Sequence, residues 1–414
     1  MKLKKIILIS LLIMCLHLKC FANEEYKIVL NTKPNQDAIE ITGEETQNIY
    51  SESAILMDQT TGKVLFEKNI HERKYPASTT KILTAIIALE KCDLNEEATA
   101  SFQAVETVKA GYTNANIKAG ETFTIGQLLD VMMIVSANEA ASIIAEHISG
   151  SVSEFAKLMN EKAKEIGCLD SNFVNANGIH DENHYSTAYD MALIERYCMQ
   201  NEKYRELLAK RECSLPITEI YINATRAEVE EQNERNKNKK KYKPIVFEEL
   251  SLERNFRNTN SLLKEESIYY YPYCIGGKTG FTTPAKNCLI SSCNKDGFEL
   301  VAVVMHAENT EEGLSARYTD TIKLFEFGYH NYTLEGIKEE YDLIKYEENA
   351  ESRANLIAGL LDNDKIEKSK IKISKSAIIE ILTGTIILLV IAIYYIYRAI
   401  KRKLKTRIYN FKMD

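Results

Sequence analysis

The sequence predicts an α+β domain, and three observations carry that expectation. A polar turn runs into a long apolar helix at KYPASTTKILTAIIALE, residues 74–90. Amphipathic helical segments recur between 125 and 198, and two apolar strands, Cys288–Ser292 and Phe298–Val304, hinge at Asp296-Gly297. At 45% hydrophobic and 27% charged, the 414 residues suit a globular chain rather than a disordered one.

In chain order, Ser53–Asp58 and Lys63–Glu67 read as strands turned at Thr61-Gly62, a hairpin leading into the first helix. Pro76 cannot extend a helix backwards, and Ser78, Thr79 and Thr80 offer hydroxyl oxygens to the N–H groups of a first turn, so the helix is expected to start there. Ser78 and Lys81 are three apart and share a helix face, which sets an amine beside a hydroxyl at the positive end of the dipole. That is a nucleophile and a base. Ile82–Leu89 is apolar nearly all round, which predicts a helix inside the domain.

Ile125–Ile134 and Glu139–Ile148 are predicted helices joined through Val135-Ser136-Ala137-Asn138, so Ser136 and Asn138 sit in a helix–helix corner. Ser153–Ile166 places Phe155, Leu158, Met159, Ala163 and Ile166 on one face and stops at Gly167. Asn175–Ile179 is turn-like, and Thr187–Cys198 is helical again. The charge run at 225–244 reads as a solvated, mobile insert. Cys274–Thr282 contains Lys278-Thr279-Gly280 opening a strand, and Arg317–Tyr329 reads as a closing helix.

The two ends carry a different signal. Lys2, Lys4 and Lys5 precede the apolar stretch Ile6–Leu18 and the small residue Ala22, so 1–22 reads as a signal peptide and 23–45 as a leader. A charged stalk is expected over 333–376 and a transmembrane helix over 377–397, where Ile381–Tyr397 has no charge and Tyr394, Tyr395 and Tyr397 form an interfacial belt. The basic tail 398–414 would be cytoplasmic by the positive-inside rule. Together these predict a protein exported and anchored to the outer face of a plasma membrane.

The formal charge of -7 and the lack of a basic face interleaved with aromatics argue against nucleic acid as a partner. Of nine cysteines two lie in the signal, leaving an odd number with no zinc-type spacing. Cys288 and Cys293 fall on opposite faces of one strand and should not bridge each other. The cysteines read mostly as small buried apolar residues.

Ser78-x-x-Lys81, Ser136-x-Asn138 and Lys278-Thr279-Gly280, each on the expected kind of element, form one combined signal. With Pro76-Ala-Ser-Thr-Thr-Lys81, Ser136–Ala141, Asn175-x-Asn177-Gly178 and Gly277–Thr282, the chain resembles the low-molecular-mass penicillin-binding proteins that are serine-type D-alanyl-D-alanine carboxypeptidases. The resemblance covers 46–332. It implies a β-lactamase/transpeptidase-like fold, a helical lobe packed on a five-stranded antiparallel sheet.

It also implies roles. Ser78 would be the nucleophile, Lys81 its base, Ser136 the proton relay to the departing D-alanine, and Asn138 the holder of Lys81 and the substrate amide. Lys278 and Thr279 would bind the terminal carboxylate, Gly280 would admit the substrate backbone, and the N–H groups of Ser78 and Phe281 would form the oxyanion hole. No metal and no cofactor is implied. Peptidoglycan stem peptides and β-lactam antibiotics would be the partners.

Departures from the family pattern are Lys286 after Ala285, expected as a cation near the mouth of the site, and Thr259 where relatives carry arginine. The all-β domain common in relatives is expected to be missing. Rival readings are a DD-endopeptidase or transpeptidase on the same site, a β-lactamase using Glu165 four residues before Leu169, and a non-catalytic wall-binding protein.

Overall fold

The computed structural model describes residues 49–342 apart from 107, 109, 110, 240 and 241, together with 27–30, 39–42 and 345. Within the expected leader, β1 (Lys27–Leu30) pairs antiparallel with β2 (Ile39–Thr42). β3 (Ser53–Asp58) and β4 (Val64–Lys68) form the predicted hairpin. Its turn is set by Asp58, whose Oδ2 accepts from the N–H and hydroxyl of Thr61, and by Gly62 at φ +77.

A 3₁₀ turn, Ala77–Thr80, leads into α1 (Lys81–Lys91), which is buried from Lys81 to Ala88, as its all-round apolarity predicts. The expected hydroxyl capping does not occur: neither Pro76 nor Thr80 makes a side-chain cap. Thr79 donates to the Pro76 carbonyl at 2.7 Å and Thr80 pairs with His184 at 2.8 Å, so tertiary partners take the hydroxyls instead.

β5 (Glu97–Thr99), α2 (Phe102–Glu106), β6 (Thr122–Thr124), α3 (Ile125–Ile134), α4 (Asn138–Ser149), α5 (Val152–Ile166), α6 (Ala188–Cys198) and α7 (Glu202–Ala209) build the helical lobe around α1. Local chemistry fixes their ends. Thr124 and Gln127 make a capping box on α3, Ser151 caps α5, Gly167 stops α5 at φ 104, and Thr187 caps α6.

β7 (Glu212–Ser214) and β8 (Asn255–Arg257) pair at the base of an arm that carries α8 (Glu219–Asn236). The charged insert expected over 225–244 is helical up to Asn236. Thr218 caps the helix, and Arg235–Glu231 and Lys237–Glu234 pair one turn apart. Lys118 reaches Glu228 at 2.5 Å, and Glu121 meets Arg254 at 2.8 Å, which ties the arm to the lobe.

β9 (Cys274–Thr282), β10 (Lys286–Lys295) and β11 (Phe298–Ala307) complete a five-stranded antiparallel sheet of order β4-β3-β11-β10-β9, covered on its far side by α9 (Ala316–Asn331). Both faces of the sheet are buried. Cys288, Ile290, Val301 and Val303 pack on the helical lobe, while Leu289, Cys293, Leu300 and Val304 pack toward α9. Cys288 and Cys293 thus point to opposite faces, as their spacing predicts.

The α+β fold, helical lobe on a five-stranded sheet, is the one expected; the membrane part of the expectation is corrected. A bilayer span takes about 20 mostly apolar residues. The longest helix among the described residues, α8, has 18 residues and is charge-rich, and no described helix is long and apolar enough to cross a membrane. The stretches on which the signal peptide (1–22), the stalk and the transmembrane segment (377–397) were expected lie outside the described residues. The transmembrane helix in the fold class, the plasma membrane as partner and the anchored localisation are therefore withdrawn.

Candidate active site

The turn that carries Ser78 is closed in by two glycines, Gly178 and Gly280. A Cβ on Gly178 would lie 1.9 Å from the Ala77 carbonyl oxygen, and one on Gly280 would lie 2.9 Å from that of Pro76 and 3.2 Å from Ser78 N. Gly280 is thus required first by the chain's own nucleophile turn, where the sequence suggested room for a substrate backbone. Ala77 is held at φ 50 and Ser136 at φ 69, left-handed conformations that non-glycine residues adopt only under constraint.

Ser78 and Lys81 meet as their spacing predicts, with Lys81 Nζ 2.9 Å from Ser78 Oγ. Lys81 is fully buried. Its amine also donates to Asn138 Oδ1 at 2.7 Å and to the Asn177 carbonyl at 2.6 Å. Asn138 comes from the α3–α4 corner, and its Nδ2 donates to the Thr113 carbonyl at 2.8 Å. Asn177 is delivered by a tight turn in which Asn175 Oδ1 accepts from Gly178 N–H and Asn177 Oδ1 from Ile179 N–H.

Opposite them, Lys278 Nζ donates to Ser136 Oγ and to the Thr279 carbonyl, both at 2.9 Å. Thr279 shares a 2.7 Å hydrogen bond with Thr259, and Phe281 is exposed on the rim. Two lysines therefore lie inside the protein with neutral partners only. Burial, and then the nearby Lys278, push Lys81 well below the ordinary lysine range, against a weaker pull from Glu139. Lys278 is lowered to about 7, by burial and then by Arg317.

These groups open onto a cleft of about 450 Å³ lined by Ser78, Ser136, Asn138, Thr279, Phe281 and Arg317, among others. Arg317, at the start of α9, escaped the sequence reading as a site residue. Its Nη1 donates to the Gly280 carbonyl at 3.4 Å and its Nε is buried without a partner. A guanidinium is thus present in the cleft although Thr259 supplies none. The Asn177 carbonyl was also missed, because a backbone acceptor leaves no residue-type signal. Lys286 does not line the cleft; it pairs with Glu308 at 3.1 Å. Glu165 is likewise absent from the cleft, 62% exposed and paired with Lys162.

A helical lobe on a five-stranded antiparallel sheet, with a serine–lysine pair at the seam, is the architecture of the transpeptidase and β-lactamase class. Solved structures bear out the fold. A D-alanyl-D-alanine carboxypeptidase from Mycobacterium tuberculosis H37Rv superposes with a TM-score of 0.56 at 24% identity, over 74% of this chain and 97% of that one. The Streptomyces K15 DD-transpeptidase gives 0.54 at 24% identity, over 72% and 100%.

Within that class, residues 40–309 match Peptidase_S11, D-alanyl-D-alanine carboxypeptidase, and the chain belongs to this serine-type family. It is 34% identical over 287 residues to the D-alanyl-D-alanine carboxypeptidase DacF of Bacillus subtilis, a match spanning 68% of this chain and 63% of the relative's length. A D-alanyl-D-alanine endopeptidase of Pseudomonas aeruginosa is 27% identical, over 62% of this chain and 72% of that one.

Proposed function

We propose that this protein removes the terminal D-alanine of peptidoglycan stem peptides through an acyl-enzyme on Ser78, and that β-lactams acylate the same oxygen. The observation that carries the reading is the buried amine of Lys81, 2.9 Å from Ser78 Oγ and held below its usual pKa. A neutral amine at that distance takes the serine proton as the oxygen attacks the carbonyl between the two D-alanines. The oxyanion that forms is stabilised by the N–H groups of Ser78 and Phe281.

Ser136, which accepts from Lys278, relays the proton taken up by Lys81 to the nitrogen of the departing D-alanine and keeps its own hydroxyl, so that Lys81 is neutral again. Lys278, Thr279 and Arg317 bind the terminal carboxylate, which favours substrates ending in a free D-alanine. Asn138 and the Asn177 carbonyl fix the direction of the Lys81 amine. Water then resolves the ester.

A second reading keeps the acyl-enzyme and changes the acceptor or the donor strand, as in a DD-endopeptidase or transpeptidase; the endopeptidase relative favours keeping it open. The β-lactamase reading loses its glutamate, since Glu165 is exposed away from the cleft. Intact-mass measurement of the full chain with benzylpenicillin, beside D-alanine release from a pentapeptide and from a cross-linked dimer, tests the proposal. A lasting adduct, and release from the pentapeptide, are expected for the native protein. Both should be lost in Ser78→Ala, with release falling by at least roughly 10⁴-fold. Undiminished release by that variant would sink the assignment, and preference for the cross-linked dimer would favour the second reading.

A further inference from the structure

Away from the cleft, three chemically different donors converge at the far ends of the two helices that carry Lys81 and Asn138. Cys92 follows α1 directly, with its N–H on the Ala88 carbonyl, and His147 lies in the last turn of α4. Glu96 sits in the intervening turn. The thiol, carboxylate and imidazole ligand atoms all lie within 4.8 Å of one another, and His147 Nε2 is 2.9 Å from Glu96 Oε1.

The backbone beneath these donors is held in place. Asp93 Oδ1 accepts from Asn95 N–H at 2.8 Å, and the carbonyls of Glu96 and Leu94 accept from Ile125 and Gly126 at 2.8 and 2.9 Å. The second oxygen of Glu96 accepts from Asp93 N–H at 3.3 Å, the kind of outer partner that orients a ligating carboxylate. Glu96 and His147 side chains are 45% and 24% exposed, so an ion has an open route in.

We propose that Cys92, Glu96 and His147 form a Zn²⁺ site, three protein donors with a solvent molecule in the fourth position. A sulfur, nitrogen and oxygen set suits a borderline cation such as zinc, whereas Mg²⁺ and Ca²⁺ favour oxygen alone. Tetrahedral zinc spaces its donors by roughly 3.5 Å. The Glu96–His147 contact therefore opens slightly and the wider contacts close, by rotation of side chains already in contact with solvent. Binding as the thiolate releases the Cys92 proton to solvent. The ion would join the end of α1 to the end of α4, whose opposite ends place Lys81 Nζ 2.7 Å from Asn138 Oδ1. It would clip the two helices together and stay clear of the chemistry.

The test titrates the reduced full chain with Co²⁺ as a spectroscopic stand-in and then with Zn²⁺ as competitor. A thiolate-to-cobalt charge-transfer band saturating at one equivalent, bleached by Zn²⁺, is expected for the native protein and for Cys213→Ser, a control outside the cluster. The band should vanish in Cys92→Ser and His147→Ala. Zn²⁺ should raise the melting temperature of the native protein and leave those variants where they were. Should either variant melt low without metal, Glu96→Gln, at the most exposed donor, replaces it and is expected to need more Co²⁺ to saturate the band; saturation at the native concentration overturns the site. No band in the native protein, or a band that survives Cys92→Ser, overturns the site.

Discussion

Two buried charge sites in this molecule have opposite designs. At the seam, Lys81 and Lys278 are buried at 0% and 1% exposure with only hydroxyl, amide and carbonyl partners. At the base of the arm, Arg254 and Glu121 are as deeply buried, yet they meet at 2.8 Å, Thr218 donates to the same carboxylate, and the guanidinium lies over the Tyr221 and Phe123 rings. Burial is common to both; the counter-charge is not. A buried cation without one is destabilised as a cation and becomes a base, while a buried cation with one becomes a fixed strut.

The strongest break of this comparison swaps each cation for methionine. Lys81→Met should leave stability intact, since it removes an uncompensated group, and should lower D-alanine release by about 10³- to 10⁴-fold. Arg254→Met strands Glu121 and should cost roughly 3–5 kcal/mol in denaturant melts. Unfolding of Lys81→Met, with Arg254→Met unharmed, would reverse the contrast drawn above.

A smaller effect sharpens it. Lys278, lowered to about 7, loses its charge as pH rises through that value, and with it the attraction for a carboxylate. KM for a substrate with a free C-terminus should therefore climb by about tenfold per pH unit above that point, while kcat holds. A C-terminally amidated substrate should show no such climb, and an identical climb for both would remove Lys278 from carboxylate binding. Folding moves the other way: the unfolded lysine keeps its proton to higher pH, so the cost of burying the Lys278 cation is relieved and stability increases as pH rises from about 7 toward 10.5. The smallest effect lies on the exposed face of α8, where Arg235→Ala should move a melt by no more than about 0.5 kcal/mol.

Much of this arrangement was legible because it is local. Ser78 and Lys81 share a turn, Ser136 and Asn138 share a corner, and Lys278-Thr279-Gly280 share a strand, so periodicity and turn signals place them. The strands and the first hairpin were read from local pattern and their union in one five-stranded sheet came from family resemblance, but no local pattern says that β3 lies beside β11. Arg317 and the Asn177 carbonyl were invisible because each reaches the site through tertiary contacts. The arm was legible in part. Glu231 and Glu234 read as a solvated charge run and are exposed, but that their partners Arg235 and Lys237 lie one helical turn away was not drawn from the spacing. The hydroxyls of Thr79 and Thr80 misled, because they bond to Pro76 and His184 rather than capping the helix.

The interlock of Gly178 with Ala77 has a consequence for the order of assembly. It joins segments about a hundred residues apart, and the loop between them must close before the contact yields any stabilisation. A chain emerging from synthesis with α1 already formed would hold its serine and lysine a turn apart, but without the Asn177 carbonyl the amine would have no fixed direction. Competence to react thus arrives late and all together, so that the proposed acylation of Ser78 by a β-lactam would report a finished fold.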